Sequence, residues 1–81
     1  MSNMTLVFNY QGKPLLIQCQ ENETLDQVFN RYCIKAGLNR NDIKFYSNSK
    51  EIRGNSSSLK SNGISSRHNF DVVGAKYVIG A

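Results

Sequence analysis

The residues that could carry out chemistry are few and widely spaced. The chain holds one histidine, His68, and two cysteines, Cys19 and Cys33. A zinc site gathers His and Cys ligands at short internal spacings, and two separated thiols with a distant histidine make no such pattern. A hydroxyl or thiol nucleophile needs a base within reach. His68 sits between Arg67 and Asn69 in a turn, with no Cys or Ser near it at a familiar spacing, and reads as an ordinary surface histidine. Gly12, Gly37, Gly54, Gly63 and Gly74 each fit a turn, and none belongs to a loop that would cradle phosphate. Cys19 and Cys33 fall at inward-facing positions and read as buried free thiols of a reducing compartment. The expectation is therefore no catalytic residue, no metal and no cofactor. What remains is binding.

The elements that would present a binding surface are legible. Thr24 and Gln27 have the spacing of a capping box, which marks a helix start. Leu25, Val28, Phe29, Tyr32, Cys33 and Ala36 then recur on one helical face. Gly37 suits the left-handed residue that ends a helix, and Leu38 can fold back onto the last turn. Ahead of this helix, Met4, Leu6, Phe8 and Tyr10 alternate with Thr5, Val7 and Asn9, as in a half-buried strand. Gln11-Gly12-Lys13 is a tight turn. Leu15, Ile17 and Cys19 alternate with Leu16, Gln18 and Gln20 to give a second strand and so a hairpin.

Beyond the helix, Asn39-Arg40-Asn41-Asp42 is a polar connector. Ile43 to Tyr46 forms a third strand, Ser47-Asn48-Ser49 a turn, and Lys50-Glu51-Ile52 a short return strand. Residues 53–58 are a polar, mobile loop. Leu59 and Ile64 bracket a short turn or 3₁₀ segment in which Asn62-Gly63 supplies a residue at ease with φ > 0. Phe70 to Val73 closes the sheet, with Phe70 and Val72 inward. The order is hairpin, helix, strand, short strand, strand, so one helix must cover one face of a mixed sheet. The fold class is α+β, of the β-grasp arrangement. The predicted core is Leu6, Phe8, Leu15, Ile17, Leu25, Val28, Phe29, Tyr32, Phe45, Ile52, Leu59, Ile64, Phe70 and Val72.

Composition bounds the rest. Eighty-one residues suffice for one domain, and a 40% apolar fraction with four Phe and four Tyr suffices for its core. No apolar run approaches the ~18 residues of a membrane span, and the start of the chain lacks the pattern of a signal peptide. Ten Lys and Arg against six Asp and Glu give a net charge of +4 without any block of like charge. A mild preference for acidic partners follows; nucleic-acid binding does not.

With that order in place, the chain resembles the ubiquitin-like superfamily from Met4 to about Val73. Leu25 to Leu38 resembles the helix of the small ubiquitin-like modifier, SUMO, down to the Tyr32-Cys33 pair and the closing Gly37-Leu38. Ile43 to Ile52 follows without gaps the SUMO segment of the type I-R-F-L-F-D-G-Q-R-I. Ser58 to Ile64, continuing to Val73, is more similar to ubiquitin's own closing region, T-L-x-x-x-N-I. The resemblance implies a eukaryotic, intracellular protein, cytoplasmic or nuclear, and a monomeric domain over 1–81 with its core about 4–73 and a tail 74–81.

Members that become attached to other proteins end in a slim Gly-Gly tail. This sequence contains no Gly-Gly, and Tyr77, Val78 and Ile79 are bulky. The expectation is a non-catalytic protein-interaction domain, part of a larger protein, meeting protein or peptide partners such as components of the ubiquitin and SUMO pathways, with neither membrane nor nucleic acid involved. The alternatives are a modifier whose tail is altered or lies outside this chain, and a Ras-association-like module pairing with a GTPase through Lys13, Arg31 and Lys35. By resemblance, SUMO's peptide groove corresponds to Leu16, Ile17, Cys19, Gln20, Gln27, Val28, Arg31 and Lys35. Two basic rim positions have become Gln20 and Gln27, while Lys35 keeps its charge. The partner-binding residues expected from this are Leu16, Ile17, Cys19, Val28, Arg31 and Lys35. Ubiquitin's main contact patch corresponds to a second surface of Lys44, Tyr46 and Val73, with Tyr46 in place of an isoleucine. Leu16 and Ile34 are expected to be exposed.

Overall fold

The computed structural model describes residues 3–76. Five strands and one long helix follow in the order β1 (Asn3–Tyr10), β2 (Lys13–Gln20), α1 (Leu25–Ala36), a 3₁₀ turn (Arg40–Asp42), β3 (Ile43–Ser47), β4 (Lys50–Ile52) and β5 (Asn69–Gly74). Across the sheet they run β2-β1-β5-β3-β4. β1 and β5 are parallel at its centre, and the other pairings are antiparallel. The alternation along β1 sets its register: Met4, Leu6 and Phe8 turn inward while Thr5, Val7 and Asn9 stay part-exposed.

The helix ends are built as their residues dictate. The Thr24 side chain accepts from the Gln27 N–H at 3.1 Å, and the Gln27 side chain accepts from the Thr24 N–H at 2.9 Å. At the other end Gly37 lies at φ 72°, so its N–H reaches the Ile34 carbonyl while Leu38 N–H bonds the Cys33 carbonyl. The same closure recurs after Leu59. Gly63, also at φ 72°, donates to Lys60, and Ile64 donates to Leu59.

The core centres on five rings. Phe29 stacks on Phe45 at 3.9 Å, and Phe8 lies between Tyr32 at 4.5 Å and Phe70 at 5.0 Å. Twelve of the fourteen residues expected in the core are buried; Leu15 and Ile52 are only part-buried. Both stand on edge strands, where one flank has no neighbouring strand to cover it. Met4, Cys19, Cys33 and Ile43 complete the buried apolar set.

Three local readings change, and one, at Leu59 to Ile64, is decided between its alternatives. The connector after the helix is a 3₁₀ turn, capped by the Asn39 side chain on the Asn41 N–H. The segment from Leu59 to Ile64 is a run of hydrogen-bonded turns and not a 3₁₀ helix. The polar loop after β4 is tied down at several points. Leu25 N–H bonds the Ser57 carbonyl, Asp26 N–H bonds the Asn55 carbonyl, and the Asn55 and Asn62 amides bond each other. Gly74 belongs to β5, where it pairs with Ile43, so the sheet runs one residue past Val73. Tyr77, Val78 and Ile79, which carried the reading of a bulky tail, lie outside the described residues. Among the described residues no helix is long and apolar enough to cross a membrane.

Candidate functional site

α1 lies beside β2, an edge strand, and the ground between them is the expected binding groove. Its six expected residues fall into two groups. Ile17, Cys19 and Val28 are buried at 1, 5 and 0% exposure, because the first two turn inward from β2 and Val28 inward from the helix, into the core. They form the wall beneath the groove and present almost no surface. Leu16, Arg31 and Lys35 are exposed. Leu16 pairs with Val7 across β1 and β2, with half its surface open. Ile34 is exposed, at 82%.

The two cations lie along the outer side of β2. Arg31 Nη1 donates to the Gln18 carbonyl at 2.9 Å and to Glu23 Oε2 at 2.8 Å, while Nη2 donates to Glu23 Oε1 at 3.0 Å. This two-pronged pairing holds the Glu23 carboxyl below the usual carboxylate range, chiefly through the hydrogen bond from Arg31. Lys35 Nζ donates to the Leu16 carbonyl at 3.2 Å. Burial pushes the Cys19 thiol up, and the Glu23 charge adds to the rise.

The ground beside β2 opens at both ends: at the far end a polar hollow is lined by Asn3, Gln18, Cys19, Gln20 and Glu23, and a more apolar cleft lies toward the hairpin. A cleft of about 420 Å³ is lined by Tyr10, Leu15, Tyr32, Lys35, Ala36 and Leu38, with Lys13 at its hairpin end. Only Lys35 belongs to the expected set. Leu15 escaped the sequence reading because it is expected in the core, and Tyr10 because alternation merely groups it with the inward residues of β1. They are part-buried since the helix ends at Ala36, before it can cover them. The signal for this was the position of Gly37. Glu23 was missed for another reason: it precedes the helix cap, so no helical spacing links it to Arg31.

On the sheet's outer face, Lys44 pairs with Val73 and Tyr46 with Asp71. Lys44, Tyr46 and Val73 are all part-exposed. Val73 also lines a second cleft of about 400 Å³ with Tyr10, Gln11, Val72 and Gly74.

His68 corrects the reading of its surroundings. Its Nε2 lies 2.7 Å from the Oγ of Ser47, and its ring leans on Phe70 at 4.7 Å. Ser47 is near after all, brought there by the antiparallel pairing of β3 with β5. Ser47 is 9% exposed, and neither residue lines the clefts described above. The contact ties the β3–β4 hairpin to the start of β5. Cys33 is a buried thiol whose pKa burial raises.

No protein-family model matches the chain, and no curated protein matches it. Solved structures do. The chain is similar to a ubiquitin from Caldiarchaeum subterraneum, with TM-score 0.77, 17% identity, and 99% of this chain and 100% of that one covered. It is similar to the ubiquitin-like domain of an Arabidopsis thaliana protein, with TM-score 0.80, 15% identity, and 100% and 85% covered. The fold is the ubiquitin-like β-grasp. A further β-grasp neighbour comes from a structure described as molecular mimicry of SUMO that promotes DNA repair, with TM-score 0.75, 16% identity, and 90% and 92% covered. At such identities the likeness concerns the β-grasp itself, and function must be argued from the site.

Proposed function

We propose that this β-grasp is a non-catalytic protein-interaction domain, a single unit over 1–81, that takes an extended peptide between β2 and α1. The observation that carries the reading is the juxtaposition of an edge strand, an apolar cleft beside it, and two cations between them. An added strand gains main-chain hydrogen bonds, and the cleft selects a side chain. Arg31, Lys35 and Lys13 favour acidic residues in the partner. Catalysis finds no support in thiols that burial renders less acidic, nor in a Ser47–His68 contact away from the clefts. Buried free thiols accord with an intracellular setting.

The test is titration of isotopically labelled protein with a synthetic peptide of four β-branched residues flanked by aspartates. Amide shifts clustered at residues 10–20 and 28–38 support the groove. Shifts centred on Tyr46 and Val73 move the site to the sheet face, and no shift at millimolar peptide refutes peptide binding. A second reading, docking of a small GTPase by its sheet edge, is favoured by one observation: Lys13 and Lys35 line the same cleft. Titration with a GTP-loaded small GTPase separates the two.

A further inference from the structure

The outward carbonyls of β2 are occupied. In an antiparallel pair, successive residues direct their main-chain groups alternately toward and away from the partner strand. Leu16, Gln18 and Gln20 share one parity, and the carbonyl of each is taken from outside the sheet. Lys35 Nζ holds the Leu16 carbonyl, Arg31 Nη1 the Gln18 carbonyl, and the Glu23 N–H the Gln20 carbonyl at 3.0 Å. Pro14, the next residue of that parity, has no N–H to give. These are the groups an added strand would need. A bare edge invites indiscriminate pairing, and long cations laid over its carbonyls prevent that.

Two of the three blocks are side chains, and side chains can move. Arg31 is held in place by both oxygens of Glu23, in a pair whose side chains are 42% and 26% exposed. An ion pair in that much water is worth little, so it exchanges readily with another carboxylate. We propose that the β2 edge is a latched strand acceptor: an extended segment opens it by bringing its own carboxylate to Arg31 in place of Glu23.

The exchange conserves hydrogen bonds. Arg31 leaves Glu23 and the Gln18 carbonyl for the incoming carboxylate. An N–H of the segment then bonds the Gln18 carbonyl, and the Glu23 carboxylate returns to water. A segment without a carboxylate must instead take the Gln18 carbonyl from an Arg31 that Glu23 still holds beside it, and gives the guanidinium nothing in exchange. The latch thus selects acidic segments by denying the edge to neutral ones, which is discrimination against the wrong partner in addition to attraction for the right one. The Gln20 carbonyl is held by main chain and stays closed. The acceptor is therefore short, centred on Leu16 and Gln18.

This inference rests on the groove reading proposed above, and the experiment separates the two. Wild type, Arg31→Gln and Glu23→Gln are titrated with two peptides of identical β-branched core, one flanked by aspartates and one by asparagines. The latch predicts that the acidic peptide binds wild type about tenfold more tightly, a difference of about 1.4 kcal/mol. It predicts that Arg31→Gln binds the neutral peptide more tightly than wild type does, because the Gln18 carbonyl is uncovered. It predicts that Glu23→Gln strengthens the acidic peptide. A neutral peptide that binds wild type and Arg31→Gln equally at the groove overturns the latch and leaves the groove reading standing. Absence of binding to all three proteins overturns the groove reading. The closed latch is then read in the free protein, from proton exchange at the Arg31 guanidinium. Exchange in wild type slower than in Glu23→Gln supports the latch, and exchange as fast as in free arginine overturns it.

Discussion

Replacing Phe29 with alanine tests whether the ring cluster is where the stability of this domain resides. Phe29 is fully buried. Its ring stacks on Phe45 at 3.9 Å, meets Phe70 edge-on at 5.3 Å and Phe8 edge-on at 6.1 Å, and carries the Arg40 guanidinium 5.3 Å from its centre. Truncation of a buried Phe costs about 3–5 kcal/mol, from lost transfer energy and the cavity left behind. The ring pairs, worth about 0.5–1.5 kcal/mol each beyond burial, place Phe29 toward the upper end. At about 0.05–0.15 kcal/mol per residue, an 81-residue domain has about 4–12 kcal/mol in total. Phe29→Ala should therefore remove a third or more of the stability. With a urea slope of about 1 kcal/mol/M for a domain this small, the midpoint should fall by about 3–5 M. Phe29→Leu refills most of the volume but forfeits the ring geometry, so it should cost only about 1–2 kcal/mol. Urea unfolding followed by circular dichroism reads both. A midpoint shift below about 1 M for Phe29→Ala would show that the cluster does not hold the fold as described.

Two further predictions rest on single contacts. Gly54→Ala should cost no more than about 1 kcal/mol, because a methyl there pushes aside only the tips of the Arg40 and Asp26 side chains, which bond each other at 3.1 Å on partly exposed ground, and so forfeits that ion pair alone; in an Arg40→Ala background, where the pair is already gone, the same substitution should cost nothing measurable in the same urea assay. His68 has its pKa lowered below 6.5 by burial, so the folded chain binds fewer protons than the unfolded one between the two values. The stability linked to neutral His68 should be complete above pH 6.5 and be lost as pH falls through the folded pKa, and a thermal-denaturation series should show this loss in wild type and a flatter profile in His68→Gln.

What could be read from the sequence was what depends on neighbours a few residues apart. The capping box of Thr24 with Gln27, the Gly37 closure and the alternation of β1 each involve residues within five positions, and the chain builds all three as read. What escaped depends on residues brought together by topology. Ser47 meets His68 because β3 lies against β5, and Arg31 meets Glu23 because the chain turns into the helix beside it. Neither contact has a local pattern to announce it. The polar loop after β4 shows the same limit. Its Ser and Asn residues read as mobile by composition, yet Asn55 and Asn62 bond side chain to side chain, and the loop carbonyls satisfy two N–H groups at the start of α1. Polar composition says that a segment needs hydrogen bonds; it does not say whether water or protein supplies them.

The same division separates what the fold asks of the sequence from what the contacts along β2 ask of it. A β-grasp needs inward residues of the right size at alternating positions, and many sequences meet that need, hence neighbours at 15–17% identity over nearly the whole chain. The contacts along β2 put particular charges on particular carbonyls. Arg31 reaches Gln18, and Lys35, one helical turn later, reaches Leu16, two residues back along β2. The helix rises about 1.5 Å per residue and the strand about 3.3 Å, so four residues of α1 span about 6 Å and two residues of β2 about 6.6 Å. Cations one turn apart on the helix therefore meet alternate carbonyls of a strand beside it, and only those of one parity, the outward ones. A basic residue moved by one position on α1 would face another direction and leave a carbonyl bare. The spacing of Arg31 and Lys35 is thus matched to an edge strand, a relation that neither element shows alone.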